Sequence, residues 1–354
     1  MTDFIIVGRG LAASVLMHRF LHYGISFKVI GNENLSNCSK IAAGIWNPIV
    51  FKRLTKSWKA EEVIKELQLF YSYCEWALNK KLLTQRIIIK PFTEDQEKRL
   101  WKKKAKTELS EFLYEDVFEN KHPELENCYI ENEYGIVDQA GNLNTEMFLQ
   151  ATSKFFKHQI QNETFDYNSL EILTDSIKYR THSAKHIIFC EGHLVSQNPY
   201  FSWIPLKPVK GEVMEVEAPA LKFNNVILNY GGFLMDTDKH QFKCGATYDW
   251  NNLDETPTLN GLNELEKKYR QLVSANYRLI SHKAGIRPAS IDRRPIIGAH
   301  PIHKQLFVFN GLGTKGVMLA PYCSKQLINY LLNGESLHQD IDVQRFYNRS
   351  TQIN

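Results

Sequence analysis

Asp3-Phe4-Ile5-Ile6-Val7-Gly8-Arg9-Gly10-Leu11-Ala12-Ala13 opens the chain and runs on through an amphipathic stretch to Gly24, where Ile25-Ser26-Phe27-Lys28-Val29-Ile30 begins. The apolar run Phe4 to Val7 is short and rich in branched and aromatic residues, as a strand buried on both faces of a parallel sheet must be. Gly8-x-Gly10-x-x-Ala13 follows at once. Gly8 permits a sharp turn, Gly10 keeps side-chain atoms off a closely approaching pyrophosphate, and Ala13 lets a helix lie against the strand. Val15, Leu16, Arg19 and Phe20 place a mostly apolar stripe at helical spacing, and Gly24 stands where a helix ends. The stretch reads as strand, turn, helix, strand: a βαβ opening whose helix N-terminus, with the amides of Leu11, Ala12 and Ala13, faces phosphate.

One part of that pattern is missing. Such units carry an acidic residue at the end of the second strand, roughly 20 residues past the glycines, to hold a ribose hydroxyl. Gly31 stands there, with Asn32 and Glu33 as the neighbours able to substitute.

The 354 residues suffice for about two domains, and 43% hydrophobic with 23% charged residues is the balance of a water-soluble globular chain. No run approaches the ~18 consecutive apolar residues of a spanning helix. The first residues read as a core strand, not a signal peptide, and a cytoplasmic setting is the expectation. Six cysteines, Cys38, Cys74, Cys128, Cys190, Cys244 and Cys323, lie far apart and read as buried thiols, not as a disulfide framework or zinc site. The pairs His18/His22 and His182/His186 lack the adjacent Glu of a zinc protease helix, so no metal is expected. The net charge of +4 is mild. Its local cluster, Arg99, Lys102, Lys103, Lys104 and Lys106 around Trp101, reads as a solvated helix face in preference to a nucleic-acid contact.

Further along, Ser39, Ala42, Ala43 and Gly44 precede Ile45-Trp46-Asn47-Pro48, small residues that let a backbone pass close to something bulky. Glu61 to Lys80 carries apolar residues at helical intervals. Leu83 to Glu133 differs in composition and reads as an inserted region. A new pattern begins at Gly135, and His186 to Cys190 is a second fully apolar run, closed by Glu191-Gly192. From Pro205 to Thr247, β-rich runs alternate with Gly and Pro turns, the pattern of an antiparallel sheet. In the last quarter, Gly285-Ile286-Arg287-Pro288 leads through Asp292, Pro295 and Gly298 to the strand Leu306 to Phe309. Asn310-Gly311-Leu312-Gly313-Thr314-Lys315-Gly316 then enters a helix, a second place where backbone amides meet an electron-rich group. It is no P-loop, because no Gly-Lys-Ser/Thr ending follows.

Taken in order, Gly8-x-Gly10-x-x-Ala13, the Ser39 to Val50 segment, the Gly285 to Gly298 segment and Gly311-x-Gly313-x-x-Gly316 with Leu319-Ala320-Pro321 resemble the D-amino-acid oxidase superfamily, which includes glycine and sarcosine oxidases. Gly192, Lys207 to Glu212 and Gly245-Ala246-Thr247 fall in matching places between. The resemblance implies an α/β chain, α+β overall: a Rossmann-like FAD-binding domain from residues 1–50, 135–204 and 283–354, and a mostly antiparallel-sheet substrate domain from 51–134 and 205–282. It implies FAD held without a covalent link by Gly8, Gly10, Leu11, Ala12, Ala13, Asn32, Ser39, Ala42, Ala43, Gly44, Gly192, Gly311, Gly313, Thr314, Lys315 and Gly316.

The resemblance further implies a flavin oxidoreductase that takes hydride from the C–N carbon of a small amino acid or secondary amine, with dioxygen as one acceptor and no membrane or nucleic-acid partner. Arg287 would pair with a substrate carboxylate, since a planar bidentate donor suits a planar anion. Lys243 matches the place of a lysine beside the reoxidation site, although a solvent-facing strand lysine is the plainer reading. Phe233 stands where a tyrosine is usual, with Tyr230 and Tyr248 as substitutes, and Arg293 where glycine is usual. Two alternatives keep the flavin chemistry, on a 2-hydroxy acid or on a modified RNA nucleoside; a third is a binding protein without turnover.

Overall fold

A computed structural model of the protein describes residues 1–35, 37–119, 125–126 and 133–350. Two eight-stranded sheets form its frame. In the first, Thr2–Val7 lies between His182–Phe189 and Phe27–Ile30, all parallel, with Val7 level with both Phe189 and Ile30. Phe4 to Val7 and Ile187 to Phe189 are buried throughout, which is why these strands are apolar without alternation. Leu306–Asn310 extends the parallel set beyond His182–Phe189. The glycines of the opening turn, Gly31, Glu191 and Asn310 therefore all emerge from one carboxyl edge, the position where open α/β sheets take their ligands.

The second sheet runs in the order Arg278–Arg287, Val209–Glu217, Gln241–Gly245, Phe233–Asp238, Val226–Asn229, Leu83–Pro91, Tyr134–Leu143 and Ile45–Trp46. It is antiparallel except where Val226–Asn229 runs parallel to Leu83–Pro91. The sheets do not part at residue 135, where the sequence pattern changes. Tyr134–Leu143 pairs along its length with Leu83–Pro91. Ile45–Trp46 and the strand bearing Gly285 to Arg287 likewise join that sheet.

Between the sheets pack three long helices, Leu11–His22, Ala60–Leu78 and Gly316–Asn333. Arg19 ties them together: its guanidinium donates to Glu66 Oε1 at 2.8 Å, Ser324 Oγ at 3.2 Å and the Pro321 carbonyl at 3.1 Å. A buried arginine is tolerated there because every neighbour accepts from it.

Cys74, Cys190, Cys244 and Cys323 are buried free thiols and Cys38 is partly buried; Cys128 lies outside the described residues. His18 is fully buried and bonded to Thr152 Oγ1 at 3.0 Å, and burial holds its pKa down to about 4. Lys104 and Lys106 of the basic cluster pair with Glu108 and Glu115, each at 2.9 Å. Among the described residues no helix is long and apolar enough to cross a membrane, and no group of three metal-ligating side chains occurs.

Candidate functional site

A cleft of about 1100 Å³ lies at the carboxyl edge of the parallel strands and extends under the second sheet. Its floor begins at the first turn. Gly8 adopts φ +113°, and a Cβ there would stand 2.4 Å from the Cys190 carbonyl oxygen, so only glycine lets the turn leave between the two strands. Gly10 is the N-cap of the helix Leu11–His22, with no side-chain cap and no acidic residue in its first turn. The positive end of that helix therefore opens on the cleft. Ser39 Oγ accepts from Leu11 N at 3.2 Å, and Asn37 Nδ2 donates to the Arg9 carbonyl at 3.2 Å. Those bonds fold Ser39 to Gly44 over the helix entrance. Gly44, at φ +70°, would place a Cβ 1.9 Å from the Leu143 carbonyl oxygen, so the segment lies directly on the end of strand Tyr134–Leu143.

At the same carboxyl edge, the Arg9 side chain fills the space beside Gly31. A Cβ on Gly31 would meet Arg9 Cγ at 2.5 Å and Cδ at 3.0 Å. The Arg9 side chain lies across Gly31 and continues to Asn162 Oδ1 at 3.1 Å, Ser153 Oγ at 3.4 Å and Glu33 at 3.6 Å. Asn32 lines the cleft and donates from Nδ2 to Thr164 Oγ1 at 3.1 Å. Glu191, which also lines the cleft, accepts from the Tyr167 hydroxyl and from Asn198 Nδ2 at 2.8 Å. Burial pushes its carboxyl up to about 7.

The two C-terminal motifs meet. Gly313 N donates to the Pro288 carbonyl at 3.2 Å, and Leu312 bridges to Ala289. The loop from Asn310 is fixed to the adjoining strand end by Asn310 Nδ2 donating to the Gly192 carbonyl at 2.8 Å. Helix Gly316–Asn333 has no side-chain cap at Lys315, a second uncapped positive helix end on the cleft. The Lys315 ammonium turns toward Ser57 Oγ, and burial, with Arg294 nearby, lowers its pKa to about 8.

Arg287 projects from the last residue of its strand over Gly211, whose Cβ, if present, would stand 1.9 to 2.2 Å from the guanidinium. Its Nη1 donates to the Thr247 carbonyl at 3.2 Å and is 3.5 Å from that of Lys210, and its Cζ lies 4.7 Å from the centre of the Tyr248 ring. Among the described residues no carboxylate pairs with it. Burial lowers its pKa, a sign of a cation short of solvent. Cys38 nearby has its thiol pushed up to about 11 by burial and remains protonated. Phe233 covers Gly245, where a Cβ would meet its ring at 2.9 Å, and both line the same cleft.

Of the residues singled out in the sequence, Gly8, Gly10, Leu11, Ala12, Asn32, Ser39, Ala42, Ala43, Gly44, Gly192, Gly313, Thr314, Lys315, Gly316 and Arg287 line this one cleft. Three do not. Ala13 is buried against the strand behind the helix, and Gly311, at φ +69°, packs on Ile296 and serves the turn. Lys243 lies outside the lining, only 11% exposed and paired with Glu215 at 3.1 Å; neither a solvent-facing lysine nor one opening on the cleft describes it. Glu191 and Arg9 also line the cleft, and the sequence pattern does not single them out. The signal for Glu191 is a carboxylate at the end of a parallel strand, directly before Gly192.

The family described as DAO, FAD dependent oxidoreductase, matches residues 3–330. Glycine oxidase of Bacillus subtilis is 28% identical over 163 residues, 44% of this chain and 43% of that protein. The tRNA 5-methylaminomethyl-2-thiouridine biosynthesis bifunctional protein of Acinetobacter baylyi is 25% identical over 258 residues, 67% of this chain and 40% of that protein. Each alignment thus spans less than half of the relative. Iminodiacetate oxidase from Chelativorans shares the fold, with a TM-score of 0.77 over 95% of this chain and 96% of that one at 16% identity.

Proposed function

The chain belongs to the FAD-dependent oxidoreductase (DAO) family, and on that premise we propose that it oxidises the carbon–nitrogen bond of a small amino acid or secondary amine that carries a carboxylate. FAD fits the cleft on the chain's own terms: two uncapped helix ends face it, and glycines stand where a Cβ would collide or fill it. We assign the phosphates to the turn from Gly8 to Ala12, the adenosine end to the side of Asn32 and Glu191, and the ring end to Gly44 and the loop from Gly313 to Gly316. The first sheet would thus serve the cofactor and the second the substrate.

Arg287 is the observation that carries the substrate reading. Its partners in the cleft are carbonyl oxygens and the Tyr248 ring, so the charge of a carboxylate is what the site lacks. Two parallel N–H donors fix such an anion in position and orientation, which holds the attached carbon in one place. Phe233 and Val213 give an apolar wall beside it. FAD, when bound, would supply a hydride acceptor beside that carbon. The nitrogen lone pair then closes a C=N bond, and water hydrolyses the imine to a carbonyl compound and an amine or ammonia. Dioxygen or another acceptor takes the two electrons in the second half-reaction.

A second reading places the same bond on a modified nucleoside. It is supported by the likeness to the tRNA-modifying relative and by the aromatic rings at the cleft mouth considered below. The test for both is anaerobic mixing of the FAD-loaded protein with carboxylated amines, followed at the flavin absorbance band. Bleaching by amines that carry a carboxylate, and weak bleaching by those without, is the expected result. No bleaching by any amine or amino acid, with FAD bound, would end the proposal.

A further inference from the structure

The loop that follows strand Gln241–Gly245 holds two large rings in solvent. Tyr248 is 51% and Trp250 54% exposed; their centres are 5.9 Å apart and their planes 23° from parallel. Exposed single aromatics are ordinary. What sets this pair apart is how firmly its loop is pinned. Asp249 exchanges backbone bonds with Lys210, N to O at 3.0 Å and O from N at 2.8 Å. Thr247 N donates to the Glu212 carbonyl at 3.1 Å, and Thr247 Oγ1 accepts from Glu212 N at 2.9 Å.

Beyond the rings, the Asp249 carboxylate accepts from the amides of Asn251 and Asn252 at 2.8 and 3.2 Å. Lys210 is fully buried, and its ammonium reaches up to Asp254 Oδ1 and the Thr256 carbonyl, both at 2.6 Å. Glu212 then takes Thr258 N at 3.0 Å. Burying a lysine is costly, and here it holds a surface loop whose two largest side chains stay half in water.

The position of the pair says what the rings face. Tyr248 lines the cleft and packs under the Arg287 guanidinium, while Trp250 stacks on Tyr248 outside the lining. A row of planar groups therefore runs from the carboxylate-seeking arginine to the cleft mouth. Resting on the carboxylated-amine reading above, we propose that Tyr248 and Trp250 are a stacking platform for a planar aromatic ring borne by the substrate beyond its carboxylate-bearing unit. The occupant is an aryl-substituted or nucleobase-substituted amino acid, and the cleft would accept glycine itself without using the platform. Every ring presents a π face, so such a platform selects planarity and not hydrogen-bonding pattern.

The test uses two carboxylates that cannot lose a hydride from a C–N carbon, acetate and phenoxyacetate, titrated into the FAD-loaded full chain while the flavin spectrum is followed. In the wild-type protein phenoxyacetate should bind at least about tenfold tighter than acetate, a factor equivalent to ~1.4 kcal/mol. Trp250→Ala should bring the ratio of the two dissociation constants close to one, and Trp250→Phe should restore most of it. A wild-type ratio near one, or a ratio unchanged in Trp250→Ala, overturns the platform. Acetate binding that is indifferent to Arg287→Ala, together with no bleaching by any amine, overturns the carboxylated-amine reading instead, and the ratio still reports on the rings. Bleaching by N-benzylglycine and by a uridine bearing a glycine unit on its base then separates the sources. Either alone or both supports the platform, and bleaching by neither, with glycine or sarcosine active, overturns it.

Discussion

Gly211 is the residue through which the position of Arg287 can be tested without touching Arg287. A Cβ at 211 would lie 1.9 Å from Nη2, 2.1 Å from Cζ and 2.2 Å from Nη1 of the guanidinium, whereas ordinary contacts need about 3.5 Å. In Gly211→Ala the guanidinium must therefore move by roughly 1.5 Å. The backbone need not. Gly211 pairs in register with Gly285 and has no left-handed φ, and the displaced atoms are the far end of a flexible side chain. We expect folding stability to change by less than about 1 kcal/mol and FAD affinity to stay as it was. The bond to the Thr247 carbonyl at 3.2 Å and the stacking on Tyr248 are lost, and with them the bidentate geometry. Truncating one partner of a desolvated charge pair costs about 2 to 5 kcal/mol; a displaced but intact arginine belongs at the low end, about 2 kcal/mol or roughly a 30-fold rise in KM. The assay is steady-state turnover with a carboxylated amine and with its analogue lacking the carboxylate, in wild type, Gly211→Ala and Arg287→Ala. If KM for the carboxylated amine is unchanged in Gly211→Ala but rises in Arg287→Ala, the guanidinium does not work from the position described.

Three further outcomes are expected. Gly31→Glu alone must expel the Arg9 side chain, 2.5 Å from the new Cβ, and should lower stability by about 1 kcal/mol per bond lost; combined with Arg9→Gly it should tighten FAD about tenfold or more through the ribose, and a fluorescence titration in which the single variant binds as tightly as the pair would contradict this coupling. Glu191, with its pKa raised by burial from 4.5 to about 7, favours the protonated fold: its penalty is absent below about 4.5, grows as pH rises toward 7, and is at most about 3 kcal/mol above that. Apoprotein Glu191→Gln should accordingly gain melting temperature relative to wild type as pH goes from 5 to 8, and a difference independent of pH would refute the shift. Lys243→Met removes the partner of Glu215, so we expect a loss of about 1 kcal/mol in stability and reoxidation of the reduced protein by dioxygen unchanged within about twofold. A fall of a hundredfold or more in that reaction would return Lys243 to the chemistry.

The parallel core was legible because burial on both faces leaves a direct mark, as in Phe4 to Val7 and Ile187 to Phe189. The turn at Gly8 was legible for a similar reason: a backbone requirement, φ +113° against Cys190, admits one residue type. Sheet membership of Tyr134–Leu143 was not, because its partner Leu83–Pro91 lies across a long intervening stretch and a strand's own residues do not name the sheet they join. The surroundings of Lys243 were not legible for the same kind of reason. Its alternation along the strand is visible in the sequence, but Glu215 opposite it is set by the pairing of two strands. Gly31 reads as a defect because the side chain that fills the space beside it, that of Arg9, belongs to the turn before the helix and meets it only in the fold.

Three arginines show how a functional cation is told from a structural one once the partners are known. Arg19 is buried and donates to Glu66, Ser324 and Pro321. Arg86 is buried with its donors on Asn142 and on both carboxylate oxygens and the carbonyl of Asp236. Each charge is compensated in place, so neither has anything left to offer a ligand. Arg287 has only carbonyl oxygens and a tyrosine ring, with the cleft on its open side. Its desolvation is a cost to the folded protein that an anion entering the cleft would relieve, so stability lost in the empty site returns as affinity for a carboxylate. The same logic requires that a carboxylate engineered beside it, for example by Tyr248→Glu in place of the ring the guanidinium lies over, stabilise the apoprotein and weaken binding of carboxylated amines together. A variant that did one without the other would separate the arginine's structural role from the one proposed for it.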